Sequence, residues 1–215
     1  MKYKTEYMNP INLLIESLKD NKKLIIAFYA VFIIVFIATW ILSAPKMETV
    51  ASNVTVLANG SSGQSSAIEL FVHNEIGGLL TYFASVFFGI FAVVAILYNA
   101  FNLAAFGQLF SNILPNGGIY YIIYLIPHGI FEITATVIQS VAGILLFLFI
   151  WKFIKALRLG GGASDAFLKT KKILIQSIVL MVFATVLLLI AAPIEAYVST
   201  GFSEFILSLL GLSIT

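Results

Sequence analysis

Apolar and polar positions fall along this chain in long blocks, not in short alternations. Predominantly apolar runs cover residues 24–44, 78–98, 129–151 and 173–192, each close to the roughly 20 residues a helix needs to cross hydrocarbon about 30 Å thick. The first run opens after Asn21-Lys22-Lys23 and closes at Pro45-Lys46. A long polar, charged segment precedes it, so it reads as a retained anchor and not as a cleaved leader. Between the second and third runs, residues 99–127 are apolar but interrupted around Pro115, Gly117 and Gly118. Two short half-helices could cross there, or the segment could enter and leave by the same side. Shorter stripes at helical spacing occur at both ends: Ile11, Leu14, Ile15 and Leu18 within 8–18, and Phe202, Phe205, Ile206 and Leu209 within 202–210. Both predict amphipathic helices lying at a membrane surface.

Composition agrees with the pattern. Hydrophobic residues make up 60% of the 215 residues and charged ones 10%, with a mean hydropathy of +1.04, far outside the soluble globular range. Twelve Lys and Arg against ten Asp and Glu give a net charge of +2. The basic residues cluster at the ends of runs and not along one face, which argues against nucleic-acid binding. Their positions predict orientation instead. Lys2, Lys4, Lys19, Lys22 and Lys23 precede the first run, and Lys152, Lys155, Arg158, Lys169, Lys171 and Lys172 surround the gap between the last two. Both groups belong in the cytoplasm, and parity then requires 99–127 to cross. The expected fold is an all-α, polytopic integral membrane protein of about five transmembrane helices, with one broken crossing and short amphipathic helices at both ends.

The expected layout is a cytoplasmic amphipathic segment (1–23), a transmembrane domain (24–195) and an external amphipathic segment (196–215). Within the domain, an external loop spans 45–77 and a cytoplasmic loop 152–172. The external loop is rich in Ser, Asn and Gly and holds two Asn-x-Ser/Thr matches, at Asn53 and Asn59. The localisation expected is the plasma membrane, multi-pass, with the N-terminus cytoplasmic and the C-terminus external. The absence of cysteine removes disulfides and thiolate metal sites.

The chemistry concentrates at Pro127-His128-Gly129-Ile130-Phe131-Glu132. An ionisable group at the bilayer centre costs about 2.5–3.5 kcal/mol on insertion scales, so such groups face a bundle interior or a wet cavity. No Lys or Arg occurs between Lys46 and Lys152. Glu132 must therefore be protonated, hydrogen-bonded, bound to a cation, or paired with His128 or with a base from another segment. In a helix begun by Pro127, His128 and Glu132 share a face. Thr136, Gln139 and Gly143 continue it, and this stripe is expected to pack on Gly78, Tyr82, Ser85, Gly89 and Ala92, whose small members permit close helix approach. Asn99, Asn102 and Gln108 open the broken crossing, either as backbone caps or as a cavity lining. His73, Glu75 and Glu195 either lie in the outer headgroup layer or turn inward. In the second case two imidazoles and two carboxylates form one constellation.

These residues carry a resemblance. His73-Asn74, Tyr98-Asn99 with Asn102, Pro127-His128-Gly129-Ile130 with Glu132, and Ile194-Glu195-Ala196 look like the stage II sporulation protein M family of membrane proteins over nearly the whole chain. The Pro-His-Gly-x-x-Glu element is the most specific part. In endospore formers the resemblance implies a non-catalytic partner that anchors peptidoglycan hydrolases at the engulfing membrane. Relatives also occur in organisms that make no spores, so sporulation does not follow from it.

Enzyme signatures are missing from the sequence: there is no His-Glu-x-x-His, no Gly-x-Ser-x-Gly and no Walker A loop. Asp20 and Asp165 fall in expected cytoplasmic segments, which excludes an intramembrane aspartate pair. Gly160-Gly161-Gly162 reads as a flexible turn before a helix capped by Ser164. The chain is thus expected to be no enzyme but a membrane scaffold, with His128, Glu132, His73, Glu195, Asn99, Asn102 and Gln139 as its buried polar groups and Pro115, Gly117, Gly118, Pro127 and Gly129 as helix breaks. The alternative is a small-solute or ion transporter, or an export subunit, with a proton or cation site at His128 and Glu132. No cofactor is expected beyond a candidate divalent cation, whose identity stays open. The expected partners are the bilayer, a second copy in a homodimer, and an envelope hydrolase or a cytoplasmic ATPase.

Overall fold

The computed structural model describes residues 9–57, 66–160 and 162–212, and side chains among these except at 44–57. The described residues form seven helices: α1 (Pro10–Asp20), α2 (Lys22–Leu57), α3 (Ala67–Ala84), α4 (Ile90–Ile113), α5 (Gly117–Arg158), α6 (Ala163–Tyr197) and α7 (Ser199–Leu209). Four of them, α2, α4, α5 and α6, are long and apolar enough to cross a membrane. The chain is therefore an all-α, polytopic membrane protein. Half of the α5 span is buried against 11% of the α2 span, so α5 is the central mast and α2 a peripheral helix.

Side-chain pairs fix the directions. Tyr29 on α2 bonds Thr134 on α5 at 2.6 Å, while Trp40 stacks near Tyr121, so α2 and α5 run antiparallel. Ser177 on α6 donates to the Ala142 carbonyl of α5 at 2.8 Å, and Tyr82 on α3 meets Ser177 at 2.9 Å. With Glu75 meeting Thr185 at 2.7 Å, α3 runs against α6 and along α5. Helices α2, α4 and α6 thus point one way and α3 and α5 the other. One end of the bundle gathers α1, Lys22, Lys23, the 85–89 turn and the basic ends of α5 and α6. The other gathers the 114–116 turn, the start of α3 and the α6–α7 junction.

The small-residue face expected on 78–92 packs where the sequence places it. A Cβ at Gly78 would collide with the Gln139 carboxamide, and one at Gly143 would lie 2.7 Å from Ser85 Oγ. Close approach of backbones is what holds helices together where lipid removes the hydrophobic drive. Trp40 similarly fills the space that a side chain at Gly107 would need.

Several expected boundaries are corrected. The run 78–98 is not one helix: it is divided at 85–89, where Phe88 (φ 58°) and Gly89 (φ 68°) adopt left-handed backbone and reverse the chain from α3 into α4. Each amide from Val86 to Ile90 finds a backbone acceptor within 3.3 Å, which is the condition for irregular backbone in an apolar setting. The broken crossing 99–127 is not a crossing of its own. Its break is the tip of an antiparallel α4–α5 hairpin, turned at Leu114-Pro115-Asn116 with Asn116 at φ 56°, and its flanks belong to longer helices. Neither Pro127 nor Gly129 begins or breaks a helix. α5 continues through both, and Pro127 only leaves the Ile123 carbonyl without its usual intrahelical donor. The expected loop 45–77 is largely helical, since α2 continues to Leu57 and α3 starts at Ala67 behind a Ser66–Glu69 capping box. Asn59 lies outside the described residues. The expected loop 152–172 is likewise the ends of α5 and α6, with only a short link between them, and the cap of α6 is Gly162, not Ser164.

The amphipathic ends also form helices. Leu14 and Leu18 of α1 pack on the core while Ile11 and Ile15 are exposed. Lys172 of α6 holds Glu16 at 2.8 Å and Asp20 at 2.9 Å, and Gln176 donates to Asp20 at 2.8 Å. In α7 the buried residues are Ser199, Ser203 and Leu207, and the apolar Phe202, Phe205 and Leu209 face outward. A polar face turned to protein and an apolar face turned out suits a lipid surrounding.

Two outcomes are expected. Gly107→Val should destabilise the protein in detergent by about 1–3 kcal/mol through overpacking against Trp40, whereas Gly77→Ala, with nothing within 4 Å of the added carbon, should leave the melting temperature unchanged or raised. Hydrogen bonds from Lys172 and then Gln176 hold the Asp20 carboxyl below its ordinary range. Its support for α1 docking is thus complete above the ordinary carboxylate pKa and lost as pH falls through the lowered value. Amide exchange at Leu14 and Leu18 should accelerate on acidification below about pH 4, and Lys172→Ala should produce the fast exchange already at neutral pH.

Candidate functional site

Glu132 is reached from three sides. One turn earlier on α5, His128 places Nε2 4.0 Å from its Oε2. From α3, Asn74 Nδ2 donates to its Oε1 at 3.3 Å. From α6, the carboxylate of Glu195 completes a group in which one ligand atom from each of His128, Glu132 and Glu195 lies within 4.8 Å of the others. The spacing 128/132 puts both side chains on one face of α5 as expected, and the antiparallel packing of α5 on α6 brings Glu195 to the same level.

His128 is 3% exposed, and a serine of α7 meets its ring. Ser199 Oγ donates to the Ile194 carbonyl at 3.2 Å and meets His128 Nδ1 at 2.8 Å. Which of the two donates in the contact with Nδ1 depends on the tautomer of the ring. In the tautomer with the proton on Nδ1, Nε2 carries a lone pair on the side of the two carboxylates. Tyr124 stands edge-on to the imidazole with ring centroids 5.2 Å apart.

A cavity of about 790 Å³ opens beside this group, and His73, Asn99, Asn102, His128, Glu132 and Glu195 all line it. The constellation expected from the sequence is thus largely assembled, with two qualifications of geometry. His73 is an exposed residue of α3 that lines the cavity without joining the group of three. Gln139 sits two turns deeper, where it lines a second cavity of about 310 Å³ whose wall also includes His73, Asn74, Asn99 and Glu132. Gln139 Nε2 and Ser140 Oγ are buried there without a hydrogen-bond partner. Asn99 and Asn102 lie within α4 and line the larger cavity; Asn99 donates back to the Ala95 carbonyl at 2.9 Å. Glu75 turns inward to Thr185.

Ser199 and the tyrosines at 120, 121 and 124 belong to the site but escape the sequence reading. The tyrosines sit at helical spacing in a segment that reads as a separate half-helix, and Ser199 gives no signal beyond lying four residues after Glu195. Among the described residues, His128, Glu132 and Glu195 are the ones placed to hold a cation. No Lys or Arg lines either cavity.

Replacing Glu132 by Gln keeps an oxygen for Asn74 and removes one of two neighbouring carboxylates. In metal-free detergent, thermal unfolding of Glu132→Gln should match the wild type or exceed it by up to about 2 kcal/mol. A loss of that size would show that the charge itself is needed.

The site and the bundle agree with one family. No curated protein and no solved structure matches the chain. The family described as stage II sporulation protein M matches residues 25–200, a stretch that runs from α2 to the first two residues of α7 and contains every residue of the His128 cluster, and the chain therefore belongs to that family.

Proposed function

We propose that this protein is a non-catalytic scaffold of the plasma membrane, which holds partner proteins on its membrane-facing and loop surfaces. The observation that carries the reading is where its interior polar groups go. Asn74–Glu132 joins α3 to α5, Glu75–Thr185 and Tyr82–Ser177 join α3 to α6, Gln108 to the Trp40 carbonyl joins α4 to α2, Tyr29–Thr134 joins α2 to α5, and His128–Ser199 joins α5 to α7. Such ties average only about 0.6 kcal/mol each in membranes, but together they fix the register of five helix contacts. A body of fixed shape is what a docking platform requires. The anchoring of envelope hydrolases implied by the family resemblance is in keeping with it.

The orientation proposed is the one that puts the basic end in the cytoplasm. Lys19, Lys22, Lys23, Lys152, Lys155, Arg158, Lys169, Lys171 and Lys172 all fall at that end, whereas Glu69, Glu195 and Glu204 fall at the other. The N-terminus is then internal and α7 external. A homodimer presenting two such platforms is the assembly we favour.

In a chain without native cysteine, a membrane-impermeant thiol reagent should label Ser208→Cys from outside intact cells and leave Ser164→Cys unlabelled; the opposite pattern would reverse the orientation. Photo-crosslinking residues at outward positions such as Leu209 and Ile126 should capture one defined partner in cells, and proteoliposomes should show no proton or cation flux. Flux that Glu132→Gln abolishes would replace the scaffold by the transporter.

A further inference from the structure

Two half-buried carboxylates stand together in an apolar bundle with no cationic side chain beside them. Glu132 receives one hydrogen bond, from Asn74. Among the described residues, no side chain donates to Glu195. The one neighbouring base is an imidazole that meets Ser199 through Nδ1 and turns Nε2 toward the carboxylates, 4.0 Å from Glu132. Three electron-pair donors thus converge with nothing between them to balance the charge.

We propose that His128 Nε2 and the carboxylates of Glu132 and Glu195 bind one divalent transition-metal ion, with zinc(II) as the representative. A divalent ion neutralises the two carboxylates, which addresses the cost of burying them. A nitrogen donor beside two oxygens favours a borderline ion over magnesium or calcium, which take oxygen ligands in larger number. Around zinc with bonds of about 2.0–2.1 Å, tetrahedral ligand atoms lie about 3.3 Å apart. The separations here, 4.0 Å for His128 to Glu132 and no more than 4.8 Å within the group, need a closure of about 1 Å, which carboxylate rotamers supply.

The surroundings are those a metal requires. A ligating histidine usually passes its other N–H to an oxygen, and a ligating carboxylate accepts a further hydrogen bond; Ser199 and Asn74 occupy those two places. The cavity beside the group leaves the remaining coordination position to water. Since His128 and Glu132 belong to α5, Glu195 to α6 and the supporting Ser199 to α7, a bound ion would clamp the outer ends of three helices. This inference goes beyond the scaffold role and does not rest on it.

The test uses the full chain, purified with chelator, stripped of metal and placed in nanodiscs. On titration with zinc chloride we expect one ion per chain, a rise in melting temperature reversed by chelator, and an absorption-edge spectrum showing one imidazole nitrogen among oxygens at about 2.0–2.2 Å. His128→Gln and Glu195→Gln should each weaken binding more than tenfold, Ser199→Ala should weaken it about tenfold through loss of the supporting hydrogen bond, and His73→Ala should leave it unchanged. Equal metal-free melting temperatures establish that a variant is folded. Should Glu195→Gln fail to fold, the Ser199→Ala affinity and the wild-type spectrum decide. Substoichiometric zinc, stoichiometric zinc that persists in His128→Gln and Glu195→Gln, or displacement of zinc by an equal concentration of magnesium would each overturn the proposal.

Discussion

The constraint on which this structure turns is the solvation of Glu132 in a bundle that offers it no cationic side chain. Removing a carboxylate from water without compensation is prohibitive, so the groups around it have to be brought from elsewhere in the chain. Asn74 arrives from α3, His128 from the preceding turn of α5, and Ser199 supports His128 from α7. Placing those groups sets the register of α3 on α5 and docks α7 against the bundle. It also explains why α5 is the mast. That helix carries two of the three groups of the cluster, His128 and Glu132, while α6 brings Glu195.

Packing and polar satisfaction are solved by the same residues. Gly78 admits the Gln139 side chain and Gly143 admits Ser85, so the small residues that let α3 approach α5 also bring Asn74 within reach of Glu132. Farther out, Gly107 lets Trp40 enter between α4 and α5 beside Tyr121, while Gln108 donates to the Trp40 carbonyl at 2.6 Å. The bundle is tied at each level by a close backbone approach paired with a hydrogen bond.

What the sequence made legible follows from what each signal measures. Apolar length reports the bulk of a helix, and it located α2, α5 and α6. Spacing reports a shared face, and it anticipated the contact of His128 with Glu132 and the pairing of residues 78–92 with the polar stripe of α5. The reversal at 85–89 was hidden because Phe87 and Phe88 are 65% and 70% exposed and are as apolar as any helical residue there; Gly89 was its only local mark. The turn at Pro115-Asn116-Gly117 was plain, but its meaning depended on where the preceding helix began. Starting that crossing at residue 99, nine residues after α4 begins at Ile90, made a hairpin tip look like a break at membrane depth. Ser199 could not be found by any local rule, because its role exists only once α7 folds back onto α5.

The hidden reversal has a consequence for the lipid around the protein. Phe88 lies against Phe147, and Gly89 beside Ile144, so the tip of the α3–α4 hairpin stops five to eight residues short of Lys152 on α5, about 8–12 Å of helical rise. Phe87, Phe88, Ile90 and Phe91 at that tip are apolar and exposed, and they have no charged anchor to carry them to a headgroup. In a bilayer whose headgroups lie at the level of Lys152, acyl chains beneath the tip would bend or shorten to meet it. With the headgroups at that level, fewer long helices would fill that leaflet than the other, and the placement of the protein would depend on membrane thickness.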